Sequence, residues 1–198
     1  MGRKIRNVKK TILIGAEGKN KTESTYFSNF NDRNSDYRII MANGNSTDPV
    51  RMVDDIIKTM KQRDINTKYG DIIYCVLDVD DSKEKALQIS KAIKLAAKHN
   101  IEIITSNPCF ENWFLCHFTY TTKHFSNNEI IQEIKKYISK YSKGLNVYEL
   151  IKDKTEIAIV NAKKQSDYHK NLEIDTSLAN PVLWFLRLLR HYKINKYL

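Results

Sequence analysis

The sequence predicts an α/β fold: a mainly parallel sheet of about four strands flanked by helices, with a helical C-terminal region. Three observations carry this. Strand-like and helix-like segments alternate through the first half of the chain. The strand-like runs are continuously apolar rather than alternating, as strands buried on both faces are. After residue 108 the strand patterns stop and helical spacing takes over.

Taken in order, residues 10–16 (KTILIGA) read as a short buried strand. From Lys21 the pattern turns helical, with Tyr26, Phe27 and Phe30 at helix-compatible spacing. Residues 37–42 (YRIIMA) are a second β-prone run, and NGNSTDP after them is a loop. A helix is expected over 50–62, with Val53, Ile56, Ile57 and Met60 as its apolar stripe. The strongest strand is 72–77, apolar throughout and followed at once by carboxylates. Residues 82–99 form an amphipathic helix with Ala86, Ile89, Ile93, Ala96 and Ala97 on one side. IEIITSNP (101–108) is a further strand ended by an Asn-Pro turn. This order implies a sheet covered on both faces, with right-handed crossovers. Ligands of such sheets bind at the carboxyl ends of the strands. Glu17 and the acids at 78–81 each directly follow a strand, so they are expected on one sheet edge.

The segment CFENWFLCHF (109–118) is short, very apolar and helix-like. Pro108 suits a first helical turn, with Asn107 as its cap. Beyond it, helices are expected over 127–141, 154–170 and 178–193. The division is a core over 1–118 and a helical region over 119–198 packed on it, making one domain overall. No internal repeat and no low-complexity segment interrupts the chain.

Composition narrows the function classes. The 198 residues are 41% hydrophobic and 10% aromatic, which excludes a disordered chain. No apolar run approaches the roughly 18 residues of a membrane span. The basic N-terminus lacks the long apolar stretch and cleavage site of a signal peptide, so a cytoplasmic location and no membrane partner are expected. Cys75, Cys109 and Cys116 sit in apolar contexts without zinc-type spacing and read as buried reduced thiols. The net charge of +10 is uneven: residues 1–35 carry 8 Lys/Arg against 3 Asp/Glu, residues 36–117 carry 11 against 12, and residues 118–198 carry 14 against 8. A basic excess at the two ends favours a polyanion such as RNA or DNA. The plain alternative is a lysine-rich soluble surface.

The chemistry concentrates in two stretches. In LDVDD (77–81), Asp78 and Asp80 are one residue apart, and in extended chain such residues point to the same side. Two carboxylates held together raise each other's pKa or take a cation between them. A hard divalent ion with oxygen ligands, Mg²⁺ or Mn²⁺, fits. The alternative is a set of solvated acids opening the next helix, with Asp81 favouring its N-terminal dipole. As an EF-hand loop the stretch fails, having Lys83 in place of the glycine and Ile89 in place of the bidentate glutamate. The other stretch, TILIGAEGKNKTE (11–23), approaches a P-loop at Gly15, Lys21 and Thr22, but Asn20 replaces the second glycine. Glu17 would also bring negative charge among the phosphates.

A strand ending in Glu17-Gly18, then a strand ending in D-x-D, resembles the Toprim domain of topoisomerases, primases and the overcoming-lysogenisation-defect nucleases. That domain is Rossmann-like. More specifically, AEGKNKTESTYF (16–27), LDVDD and SNPCFENWFLCHF (106–118) resemble the RloB-like family, with a weaker echo in NPVLWFLRLL (180–189). The sequence departs from the family pattern by two extra residues around Asn20 and Lys21, which bears on the placement of Glu23 more than on that of Glu17.

The resemblance implies a Mg²⁺-dependent (or Mn²⁺-dependent) nuclease. Asp78 and Asp80 match the metal-binding pair, and Glu17 the glutamate used as ligand or proton carrier. Lys19 and Lys21 are candidates to neutralise phosphate charge, and Glu23 and Asp81 to support the site from behind. Glu111, in the first turn of its helix, either completes the metal set or stabilises the helix start. Phe110, Trp113 and Phe114 read as core, and His117 as packing; His117 and His124 lack metal spacing with each other. The resemblance further implies antiphage defence beside restriction-modification or abortive-infection genes, with a partner ATPase from the same locus. A homo-oligomer is compatible with it. The competing expectation is a catalytically inactive module that senses nucleic acid or a nucleotide.

Overall fold

The structure, a computed structural model, describes residues 9–17, 22–33, 35–79 and 83–171. Its strands are β1 (Lys10–Ala16), β2 (Tyr37–Met41), β3 (Ile72–Asp78) and β4 (Glu102–Ser106). Its helices are α1 (Thr22–Ser28), α2 (Pro49–Gln62), α3 (Lys83–Ala97), α4 (Glu111–Cys116), α5 (Asn127–Lys135), α6 (Tyr148–Ile151) and α7 (Thr155–Asn171). All strand pairs are parallel, in the order β2-β1-β3-β4.

The apolar strands bury both faces. Ile12 and Ile14 of β1, Tyr74 and Val76 of β3 and Ile104 of β4 join one core with α1, α4, α5, α6 and α7. Leu13, Ile73, Cys75 and Leu77 join the other, against α2 and α3. Period-two alternation of side chains across a continuous apolar run produces these two cores from the same strands. The expected four-strand α/β fold with a helical C-terminal part is therefore what the chain adopts, and the first core runs unbroken from β1 into α7.

The strand order sets where the chemistry lies. The chain passes from β1 to β2 on one side, then crosses back to place β3 on the other side of β1. The reversal makes the carboxyl ends of β1 and β3 a topological switch point, where a crevice opens in such sheets.

Gly15 lies inside β1, paired with Cys75 of β3. A Cβ there would stand 2.5 Å from Ile56 Cδ1 and 2.6 Å from its Cγ1. Its lack of a side chain is thus explained by α2 packing down on the sheet, which removes one of the features that made 15–22 look like a phosphate loop.

Two expectations need correction. Asn107 does not cap the helix after β4. The Asn107–Pro108 peptide is cis, the helix starts at Glu111, and its N-cap position is Phe110 with no side-chain cap bond. The reason is a tertiary contact: the Phe110 N–H is taken by the carboxylate of Asp78, at 3.0 Å. The single helix expected over 127–141 stops at Lys135. Successive turns then carry Tyr141 into the core, 2% exposed. The four-residue α6 was too short to leave a periodic trace. The helix expected over 178–193 and the echo at 180–189 lie outside the described residues.

Gly15→Ala is expected to lower stability by about 1–3 kcal/mol through overpacking against Ile56. Ile56→Val in the same chain should return part of that loss, as read by urea denaturation. Equal losses in single and double variants would contradict the contact.

Candidate functional site

Each acid reaches the sheet edge by its place in the fold. Glu17 is the residue after β1, and Asp78 is the last residue of β3. Glu111 opens α4 just beyond β4, and Glu23 lies in the first turn of α1. The parallel register sets Ala16 of β1 beside Val76 of β3, and Asp78 beside Ser106 of β4. The four carboxylates therefore come from three adjacent strand ends and the helix that follows β1.

Glu17 and Asp78 converge, but not as two carboxylates facing across a gap. Glu17 Oε2 accepts a hydrogen bond from the backbone N–H of Asp78, at 3.1 Å. The same carboxylate is gripped by Lys85 of α3, whose Nζ lies 2.8 Å from Oε1 and 3.1 Å from Oε2. Both side chains are largely buried, 15% and 13% exposed. The carboxylate of Asp78 points instead toward α4, where Oδ1 accepts from Phe110 N–H. Lys85 supplies the positive charge that Glu17 needs.

Glu111 is the most enclosed acid, 2% exposed. Its Oε1 accepts from Tyr141 Oη at 3.2 Å and from Thr22 Oγ1 at 3.5 Å, and lies 4.0 Å from Lys143 Nζ. The packing puts Glu111 close enough to act on Glu23 and Asp78. Glu23 is 4% exposed, and its Oε2 is buried without a hydrogen-bond partner among the described residues. An orphaned buried carboxylate oxygen is costly unless it is protonated or meets a cation.

The electrostatics follow. Burial, then the charge of Asp78, then that of Glu111 push Glu23 up from 4.5 to about 8, against the pull of Lys143. Burial, then Glu17, then Glu111 push Asp78 up from 3.8 to about 7, against Lys85 and Lys143. Like charges held together in a poorly solvated crevice account for both shifts. Groups so displaced cluster at functional sites.

The other expectations divide. Asp80, Asp81, Lys19 and Lys21 lie outside the described residues. Among the described residues, no group of three or more His, Cys, Asp or Glu is arranged to hold a metal ion. Phe110, Trp113 and Phe114 are core, as expected, and Trp113 donates to Tyr26 Oη at 2.9 Å. His117 packs edge-on against Trp113 at 4.7 Å, and burial lowers it to about 4. Cys75, Cys109 and Cys116 are free and buried. Burial raises the Cys75 and Cys116 thiols to about 12. Burial, then Glu111, raises Cys109 further.

Sequence reasoning missed Lys85, Lys143, Tyr141 and Thr22. Lys85 leaves a faint trace: it is the partly buried basic residue in the first turns of a helix that opens after an acidic strand end. Lys143 and Tyr141 leave none, because they meet Glu111 across 30 or more positions of chain through turns without periodicity.

A family model described as RloB-like protein matches residues 12–183. The chain belongs to the RloB-like family. The match begins inside β1 and runs past α7, so it takes in Glu17, Glu23, Asp78, Lys85, Glu111 and Lys143. Neither a search of curated proteins nor a search of solved structures returned a significant match. Among the described residues, no helix is long and apolar enough to cross a membrane.

The raised acids make stability depend on pH. A carboxyl whose folded pKa lies above its unfolded value binds its proton more tightly when folded, so stability falls as pH rises between the two values. In metal-free buffer the urea midpoint is expected to fall from about pH 5 to about pH 8. Glu23→Gln should flatten that fall and make the protein more stable than the parent at the upper end. A slope unchanged by Glu23→Gln would contradict the placement of this acid.

Proposed function

We propose that this RloB-like protein is a metal-dependent, Toprim-type nuclease that cleaves phosphodiester bonds of RNA or DNA with Mg²⁺ or Mn²⁺. The observation that carries the reading is the meeting of Glu17, Glu23, Asp78 and Glu111 at the switch point of a parallel sheet.

The donor chemistry suits a hard divalent cation. Every candidate ligand is a carboxylate oxygen, and Glu23 Oε2 is a buried acceptor without a hydrogen-bond partner among the described residues. Asp78 and Glu17, with Asp80 next along the chain, would hold the ion, and Glu111 would stand beside it. A bound Mg²⁺ would polarise a phosphate oxygen and lower the pKa of a bound water. The chain's own groups do the rest. Tyr141 and Thr22 fix the orientation of Glu111. Phe110 N–H fixes one oxygen of Asp78. Lys85 holds Glu17 in place by a contact that ligation by both Glu17 oxygens would have to loosen. Burial and the charge of Asp78 raise Glu23, so it can hold a proton at a carboxyl oxygen of the acid cluster. The excess of Lys and Arg over Asp and Glu suits a polyanionic substrate.

Family membership supports a further proposal, that the activity serves antiphage defence together with a partner ATPase. One observation favours a second reading. The Lys85–Glu17 pair satisfies an acid that a metal site would need, as a sensing module that binds nucleic acid without cutting it would retain.

Cleavage of tRNA, single-stranded RNA and duplex DNA, with and without Mg²⁺ or Mn²⁺, separates the two. Asp78→Asn and Glu17→Gln are each expected to reduce metal-dependent cleavage by at least about 100-fold while circular dichroism stays unchanged. Full activity in both variants would overturn the assignment of these residues. Binding without turnover at every metal concentration would favour the sensing module.

A further inference from the structure

We propose that Lys143 is the residue through which the helical C-terminal region contacts a phosphate of the nucleic-acid backbone at this site. The inference rests on the reading of the site as one that receives nucleic acid, and it adds a group from a part of the chain no motif marks.

The two lysines of the site differ in what they have left to offer. Lys85 is spent on both oxygens of Glu17, at 2.8 and 3.1 Å. Lys143 is not spent. Its Nζ stands 4.0 Å from Glu111 Oε1, an ion pair beyond hydrogen-bond distance. Among the described residues it makes no hydrogen bond. Its side chain is 33% exposed, whereas that of Glu111 is 3% exposed. A partly exposed lysine therefore stands against a buried acid. It also acts at range, lowering both Glu23 and Asp78. A partly exposed cation that acts on three carboxylates is placed for an anion arriving from outside.

Its position is built rather than incidental. The turn that carries it is fastened to α1 at two points. Gly144 N–H donates to Thr22 Oγ1 at 3.0 Å. Asn146 and Asn29 exchange a pair of amide hydrogen bonds at 3.2 Å each. Gly144 takes φ 84°, a left-handed conformation that suits glycine. Just before the turn, Tyr141 is locked by its bond to Glu111. A polyanion cannot enter a crevice of four carboxylates without positive charge at its mouth, and Lys143 supplies some of it.

The test uses the full-length protein and Lys143→Met, which keeps the length of the side chain and removes its charge. Lys143→Arg serves as the charge-retaining control. Fluorescence anisotropy in EDTA, so that no strand is cut, follows binding of a labelled single-stranded oligoribonucleotide and of a labelled DNA duplex across a salt series. Loss of one phosphate contact is expected to weaken binding of at least one probe several-fold. The slope of log K against log salt should fall by about 0.7 for the single strand or about 0.9 for the duplex. Lys143→Arg should retain most of the parent's affinity. The arm that responds identifies the substrate backbone.

If Lys143→Met lowers the melting temperature but leaves affinity and salt slope at the parent's values, the lysine only neutralises buried acids and the proposal is wrong. If the parent binds neither probe, this proposal is wrong, while the cleavage assay with Mg²⁺ or Mn²⁺ still decides the nuclease reading. If the parent binds in a Lys143-dependent way but never cuts, the nuclease reading alone falls.

Discussion

The carboxylate of Glu17 ties together the ends of the two central strands and the helix that follows them. It accepts the backbone N–H of Asp78 and holds the ammonium of Lys85. Those contacts require β1 and β3 to be parallel neighbours in the observed register, with α3 returning close enough to reach across. That neighbourhood in turn depends on Gly15 admitting Ile56 beneath the strand. A shift of either strand by one residue would turn every core side chain to the wrong face, so the packing of the two cores and the position of the acid are one constraint.

Charge balance governs the rest of the edge. Among the described residues, Glu17, Glu23, Asp78 and Glu111 are balanced by Lys85 and Lys143, and burial leaves the excess poorly solvated. The displaced acids, Glu23 and Asp78, are the ones that lack a full ionic partner. Glu17 has Lys85, and Glu111 has a phenol, a threonine hydroxyl and a more distant lysine. The helical C-terminal region is part of this balance, because Tyr141 and Lys143 both come from it. The site is thus divided between the sheet edge and the chain segment that packs over it.

Much of this was legible in the sequence. The continuous apolar runs at 12–14 and 72–77 fixed the parallel sheet, since such runs are buried on both sides, and the helices between them followed from their stripes. Glu17, Asp78 and Glu111 were found because each stands directly after a strand. Glu23 was legible only as a supporting residue, since nothing in TESTYF tells a buried helical acid from an exposed one. The course of 136–147 was not legible, because turns satisfy their backbone locally and leave no period. The role of Asn107 was misread for a different reason: a cap was inferred from residue type, and the donor that would have needed it was already bound by Asp78, far away in sequence.

The most direct test is to locate a divalent ion in crystals grown with Mn²⁺, using anomalous scattering. The account predicts a peak at the ends of β1 and β3, with oxygens of Asp78 and Glu17 within about 2.2 Å and Lys85 drawn back from Glu17. Crystals in which Mn²⁺ is absent from this edge at saturating concentration, with the Lys85–Glu17 pair intact, would contradict it.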